Sequence, residues 1–103
     1  MNQALDQFLS LVYPSGQLLF GFDNLKKIRA NRVKLIVIIN SASQKTKLSV
    51  VRYAQEINSE YLSLNPETIP QLVAGKNLAV FAILDANIAK KIKKLVKEGE
   101  TYE

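Results

Sequence analysis

Apolar residues along this chain recur first at helical spacing and then in unbroken runs, and the two patterns alternate to the end. Leu5, Phe8, Leu9 and Val12 mark one face of a helix, which Tyr13-Pro14-Ser15-Gly16 closes. A short extended piece from Gln17 to Phe20 leads to Gly21, and the next helix is expected from Phe22 to Ala30 with Leu25 and Ile28 turned inward. Val33 to Ile39, VKLIVII, is β-branched and continuous, as a strand covered on both faces should be. It belongs in the middle of a sheet. Asn40 to Ser43 form a loop with capping residues, and Leu48, Val51, Ala54 and Ile57 set the inner face of a third helix reaching about Asn58. Tyr61 to Leu64 reads as a second core strand. Asn65 is the expected N-cap, with Pro66 at the first helical position, of a short helix carrying Ile69, Leu72 and Val73 and stopped by Gly75. Leu78 to Leu84 is the third buried strand. Asp85 then caps a last helix whose Ile88, Ile92, Leu95 and Val96 face the core while Lys90, Lys91, Lys93, Lys94 and Lys97 face out.

Helices alternating with apolar strands imply an α/β fold: a three-layer α/β/α sandwich, with helices on both faces of a small, mostly parallel mixed sheet. At 103 residues the chain is one domain, expected over 1–98 with 99–103 as a flexible tail. No internal repeat, linker or low-complexity segment interrupts it.

Composition narrows the function. A hydrophobic content of 48% excludes a disordered chain, and no apolar run approaches the roughly 20 residues that span a bilayer. No charged-apolar-small leader opens the sequence, which gives a cytoplasmic expectation with no membrane partner. The absence of Cys and His removes disulfides, thiolate chemistry, zinc sites of the usual kind and imidazole catalysis. Ser41, Ser43 and Lys45 resemble a Ser-Lys pair only on paper, because those serines stand where a helix needs its cap. No P-loop and no G-x-G-x-x-G after a strand is present. The expectation is therefore a protein that is not an enzyme, with no cofactor, metal or small-molecule substrate.

The net charge of +5 favours an acidic partner, and its strongest local source is Lys26, Lys27, Arg29, Arg32 and Lys34, five cations within nine residues. They follow Gly21, where a helix begins and a polyanion can approach the backbone closely. Nucleic acid is the partner this pattern suggests. Each feature also has a structural use: Asp23 and Asn24 are good helix-start residues, Lys26, Lys27, Arg29 and Arg32 and the five lysines of the last helix suit a solvated face, and Val73-Ala74-Gly75 suits a helix C-terminus. With four Tyr, four Phe and no Trp, the chain lacks the aromatic density of a single-strand stacking platform.

The order of elements and four short motifs resemble the kink-turn RNA-binding ribosomal proteins of the seven-Ae/thirty-e type, in particular their small bacterial YlxQ-like members. Gly16 and Gly21, in GQLLFG, are similar to the family's paired glycines, and Lys27 falls six residues after Gly21 where the family carries a lysine. Ile28-Arg29 followed by Lys34-Leu35 resembles the family's entry into the first core strand. Ala42-Ser43 and Thr46, in NSASQKT, resemble the bacterial D-A-S-x-x-T loop, and Ile69 to Lys76, IPQLVAGK, a loose form of L-G-x-A-I-G-K. The likeness covers Leu5 to Leu95. Departures are specific: Asp23 and Asn24 stand where the family has Asn and Glu, Asn31 where it has glycine, and Pro70-Gln71 interrupt its L-G pair.

The resemblance implies a monomer that binds structured, kink-turn-like RNA, ribosomal or ribosome-associated, through Gly21, Asp23, Asn24, Lys27, Arg32, Asn40, Val73, Ala74, Gly75 and Lys76. Because Asp23 only accepts hydrogen bonds, backbone and phosphate contacts carry over better than the reading of guanine edges. The alternative is a protein-interaction module that kept the fold and lost specific RNA binding.

Overall fold

A computed structural model describes residues 3–73 and 78–101. Among the described residues, five α-helices and four strands follow one another: α1 (Gln3–Val12), β1 (Leu18–Phe20), α2 (Phe22–Lys27), β2 (Leu35–Ile39), α3 (Gln44–Glu56), β3 (Tyr61–Leu64), α4 (Pro70–Val73), β4 (Val80–Ile83) and α5 (Ala86–Thr101). The fold is α/β, with one four-stranded mixed sheet in the order β1-β4-β2-β3.

Successive side chains of a strand point to opposite faces, and β2 shows this plainly. Leu35, Val37 and Ile39 join Leu5, Leu9, Ile69, Leu72, Ile92 and Leu95 under α1, α4 and α5. Ile36 and Ile38 join Leu25, Val50 and Ala54 under α2 and α3. All five β2 residues are buried, as a strand sandwiched between helical layers requires.

Strand directions follow from where each connection delivers the chain. A parallel return needs a crossover long enough to carry the chain back along the sheet. The 13-residue α3, about 20 Å long, does this between β2 and β3, which pair in parallel with Ile36 opposite Tyr61. After β3, the 3-10 turn Pro66–Thr68 and the four-residue α4 do not carry the chain back along the sheet, and β4 starts at the end where β3 finishes and runs the other way. It inserts between β1 and β2, antiparallel to both, with Phe81 opposite Phe20 and Val37. Three strands therefore share a direction, yet two of the three pairings are antiparallel; the expected mostly parallel sheet is corrected on this point.

Other expectations shift for local reasons. β3 is an edge strand in which only Leu64 is buried, not a core strand. The piece before Gly21 is a true strand, β1. Helix α2 stops at Lys27, since Ile28 is extended (φ −91°, ψ 163°), and Ala30–Arg32 form a separate 3-10 turn. Leu48 is 57% exposed, and Val50 takes the inner position instead. Six residues before Ala54, Leu48 lies about 120° around the helix from it, too far to share its face. Asn65 precedes a 3-10 turn, Pro66–Thr68, without a side-chain cap. The strands begin later than expected, at Leu35 and Val80, and α5 continues past Glu98 to Thr101. Gly75, expected to stop α4, lies outside the described residues.

The caps at Ser43 and Asp85 are as expected. Ser43 Oγ accepts from the Thr46 amide (3.2 Å), and Asp85 Oδ1 from the Ile88 amide (2.9 Å). Asp6 was not foreseen. This buried carboxylate on α1 accepts from the amides of Gln71 (3.1 Å) and Leu72 (3.2 Å), supplying α4 with a cap from a distant part of the chain.

Candidate nucleic-acid interface

Because β4 is reversed, one edge of the sheet gathers the ends of β1, β2 and β3 and the start of β4. Gly21 lies there directly after β1, and its amide donates to the Val80 carbonyl (3.1 Å). Beside it the Ile39 amide donates to Ala79 (2.8 Å), and the Asn40 amide to Leu64 (2.8 Å). Gly21, Asn40 and the segment from Leu78 to Val80 thus belong to one edge. Both α2 and α3 start from it and run away along the same face.

At Gly21 φ is +93° and ψ 138°, a conformation an L side chain rarely adopts. Space is not the constraint. A Cβ there would meet only Asn24 Nδ2, at 3.7 Å. The turn opens α2, whose first amides have no intrahelical partner. Asn24 folds back on it, Nδ2 donating to the Phe20 carbonyl at 3.0 Å. Asp23 is almost wholly exposed and lies 3.8 Å from Lys26 Nζ, while that ammonium also sits 4.6 Å from the centre of the Phe22 ring. So Asp23 holds Lys26 loosely, and Lys27, exposed, has no ion-pair or hydrogen-bond partner among the described residues.

An open cavity of about 380 Å³ lies against the turn, lined by Tyr13, Phe20, Gly21, Phe22, Thr46 and the segment from Leu78 to Val80. Its walls are mostly apolar. Tyr13 and Phe20 rings are 5.3 Å apart, and Phe20 contacts Phe81 at 5.5 Å, so the aromatic wall is continuous with the core. Sequence reading passed over Tyr13, Phe20 and Phe22. Their signal was positional, since these three aromatics bracket both glycines of GQLLFG.

Asn40 belongs to a side-chain chain along the same edge. Its Nδ2 donates to Asn65 Oδ1 (2.7 Å), and Ser63 Oγ donates to Asn40 Oδ1. Asn65 therefore ties β2 to β3 rather than capping a helix.

Of the anticipated contact residues, Gly21, Asp23, Asn24 and Asn40 share this edge. Lys27 ends α2, about 9 Å along the helix. Arg32 is not brought there: it precedes β2, and Lys34 after it bonds to Ile83, so Arg32 belongs to the opposite end of the sheet. The cause is the direction of β2, which ends at the Gly21 edge, so the 3-10 turn Ala30–Arg32 just before it stands at the far end. Val73 ends α4, while Ala74, Gly75 and Lys76 lie outside the described residues.

Among the described residues, no helix is long and apolar enough to cross a membrane, and no group of three or more acidic side chains forms a potential metal site.

No protein-family model matches the chain. It is similar to the RNA-binding protein YlxQ of Enterococcus faecium, at 29% identity over 97 residues, 93% of this chain and 94% of that protein. In structure it is similar to a protein of unknown function from Bacillus halodurans C, with a TM-score of 0.78, 19% identity, and coverage of 94% and 99% of the two chains. An archaeal translation termination factor also shares the fold, with a TM-score of 0.55 and 16% identity over 79% of this chain and 24% of that one. At these identities the two structural likenesses establish a shared fold, and the sequence likeness extends over nearly the whole chain.

Proposed function

We propose that the protein binds structured RNA, gripping a sharply bent, kink-turn-like duplex at the sheet edge around Gly21. The observation that carries this reading is the convergence there of a side-chain-free turn, the starts of two helices and an aromatic-lined cavity. Amides at the start of α2 suit phosphate oxygens, and the bare Gly21 lets a strand come close. Lys27 supplies charge from the outer side of α2. The cavity beside Gly21 suits an unstacked base, which single-stranded and bent RNA offers and a straight duplex does not. Bending also brings phosphates together, so concentrated positive charge favours the bent form. The similarity to an RNA-binding protein supports the partner class, and the resemblance to kink-turn ribosomal proteins supports a ribosomal or ribosome-associated setting.

Gel shifts with a kink-turn RNA duplex and a matched straight duplex, at several salt concentrations, test the reading. The kinked duplex should bind more tightly, and affinity should fall as salt rises. Lys27→Ala should weaken binding and make the salt dependence shallower by about 0.9 in log-log slope, the loss of one phosphate contact. Equal affinity for the two duplexes would refute recognition of the bend. Absence of binding to either would leave the fold as a protein-interaction module, a reading favoured by the inward use of the Asn24 amide.

A further inference from the structure

The basic side chains on the two sides of the sheet differ in how they are partnered. The helices of the two faces differ by one unit of formal charge: α2 and α3 hold five Lys and Arg against Asp23 and Glu56, and α1, α4 and α5 hold five Lys against Asp6, Glu98 and Glu100. On α5, Lys93 is already engaged, bonding to Glu60 (3.1 Å).

On α3, Lys45 and Arg52 are both exposed and lie almost opposite Ala54, which is fully buried. At about 100° per residue they stand within about 20° of each other around the helix, and about 10 Å apart along it. Neither has an ion-pair or hydrogen-bond partner among the described residues. Lys27 stands nearly opposite buried Leu25 on α2 in the same manner. The two helices are locked together: Tyr53 donates its hydroxyl to the Leu25 carbonyl (3.3 Å), and its ring meets Phe22 edge-on at 5.9 Å. Thr46, next to Lys45, lines the cavity beside Gly21. The cations of α3 are thus a continuation of the surface around Gly21, held rigidly to it.

We propose that the outer face of α3 is a second phosphate-contacting strip, in which Lys45 and Arg52 hold the RNA backbone beyond the bend. The inference rests on the RNA-binding reading above and extends it to the helical arm that follows the kink. RNA fits this strip better than an acidic peptide does, because the strip joins a surface already suited to phosphates and is spread along a helix axis. Lys45 and Arg52 stand about 10 Å apart along the helix, so a backbone running along it offers each its own phosphate.

The test compares two variants that lose the same charge: Lys45→Gln with Arg52→Gln on α3, and Lys90→Gln with Lys91→Gln on α5. Fluorescence anisotropy with the kink-turn RNA duplex, across a salt series, gives the slope of log affinity against log salt. The α3 variant should show a slope shallower by about 0.9 per lost phosphate contact, nearly two in all, while the α5 variant keeps the parent slope. Circular dichroism should show both folded, as substitution of exposed residues implies. Equal slope changes in the two variants would mean that only bulk charge matters, and an unchanged slope in the α3 variant would remove α3 from the interface; either overturns the proposal while RNA binding stands. If the parent protein binds neither the kinked nor the straight duplex, the RNA-binding reading fails and the strip fails with it.

Discussion

Single residues were most legible where local chemistry decides their role. Ser43 and Asp85 cap α3 and α5 because their short oxygen-bearing side chains reach amides three residues on. Gly21 was legible as a turn for a similar reason. Asn65 was not, because an amide side chain is also a good partner for another amide, and Asn40 was brought within 2.7 Å only by the pairing of β2 with β3. Asp23 and Asn24 raise the sharpest question at this scale. If RNA lies at Gly21, Asp23→Asn combined with Asn24→Glu should restore the amide and carboxylate that the kink-turn resemblance places there. Net charge stays the same, and Asp23 gives up only an exposed 3.8 Å ion pair, so little stability should be lost on that side. Asn24→Glu does remove the donor to Phe20. We expect the double variant to bind a duplex with tandem sheared G·A pairs more tightly by on the order of 1–3 kcal/mol, and to discriminate against a duplex lacking them. Binding no tighter and no more selective than the parent would show that base edges are not read at these positions.

Elements were legible in kind and less so in their limits. Helices α1, α3 and α5 and the buried β2 and β4 announced themselves through period and β-branching, whereas three-residue β1 is too short to show any period. The end of α2 depends on Ile28 turning extended to pack beneath α2 and α3, a tertiary effect that composition does not reveal. Long-range capping is still less visible. Asp6 and Gln71 stand 65 residues apart, and nothing in either segment announces the other. That bond ties α1 to the start of α4, immediately before the segment toward β4. Asp6→Ala should leave two amides without their acceptor and cost about 1–3 kcal/mol of stability. It should also speed hydrogen exchange at Gln71 and Leu72 more than in α3. Asp6→Asn should be milder, since its carbonyl oxygen still accepts. Unchanged exchange at those two amides in the alanine variant would show that the α4 start is held by packing alone.

The whole molecule depends on what joins its layers, and this was the least legible scale. Periodicity showed which residues face inward, but the same buried strands fit several sheet orders. The observed order is β1-β4-β2-β3, in which β4 enters between β1 and β2 and brings together the single edge where Gly21, Asn40 and the cavity meet. A consequence is that β2 and β4 serve both helical layers at once, so the two should not unfold independently. Ile36 and Ile39 test this, being the same residue type, both almost fully buried, and directed to opposite layers. Replacing either with Ala should cost about 2–5 kcal/mol. Each variant should lower the urea midpoint without changing the denaturant slope, as expected for one cooperative unit. Exchange of the slowest amides should accelerate in both α3 and α5, whichever face was altered. If Ile39→Ala accelerated α5 and left α3 at its parent rate, the layers would be separate cooperative units, and the shared strands would not couple the surface around Gly21 to the opposite face.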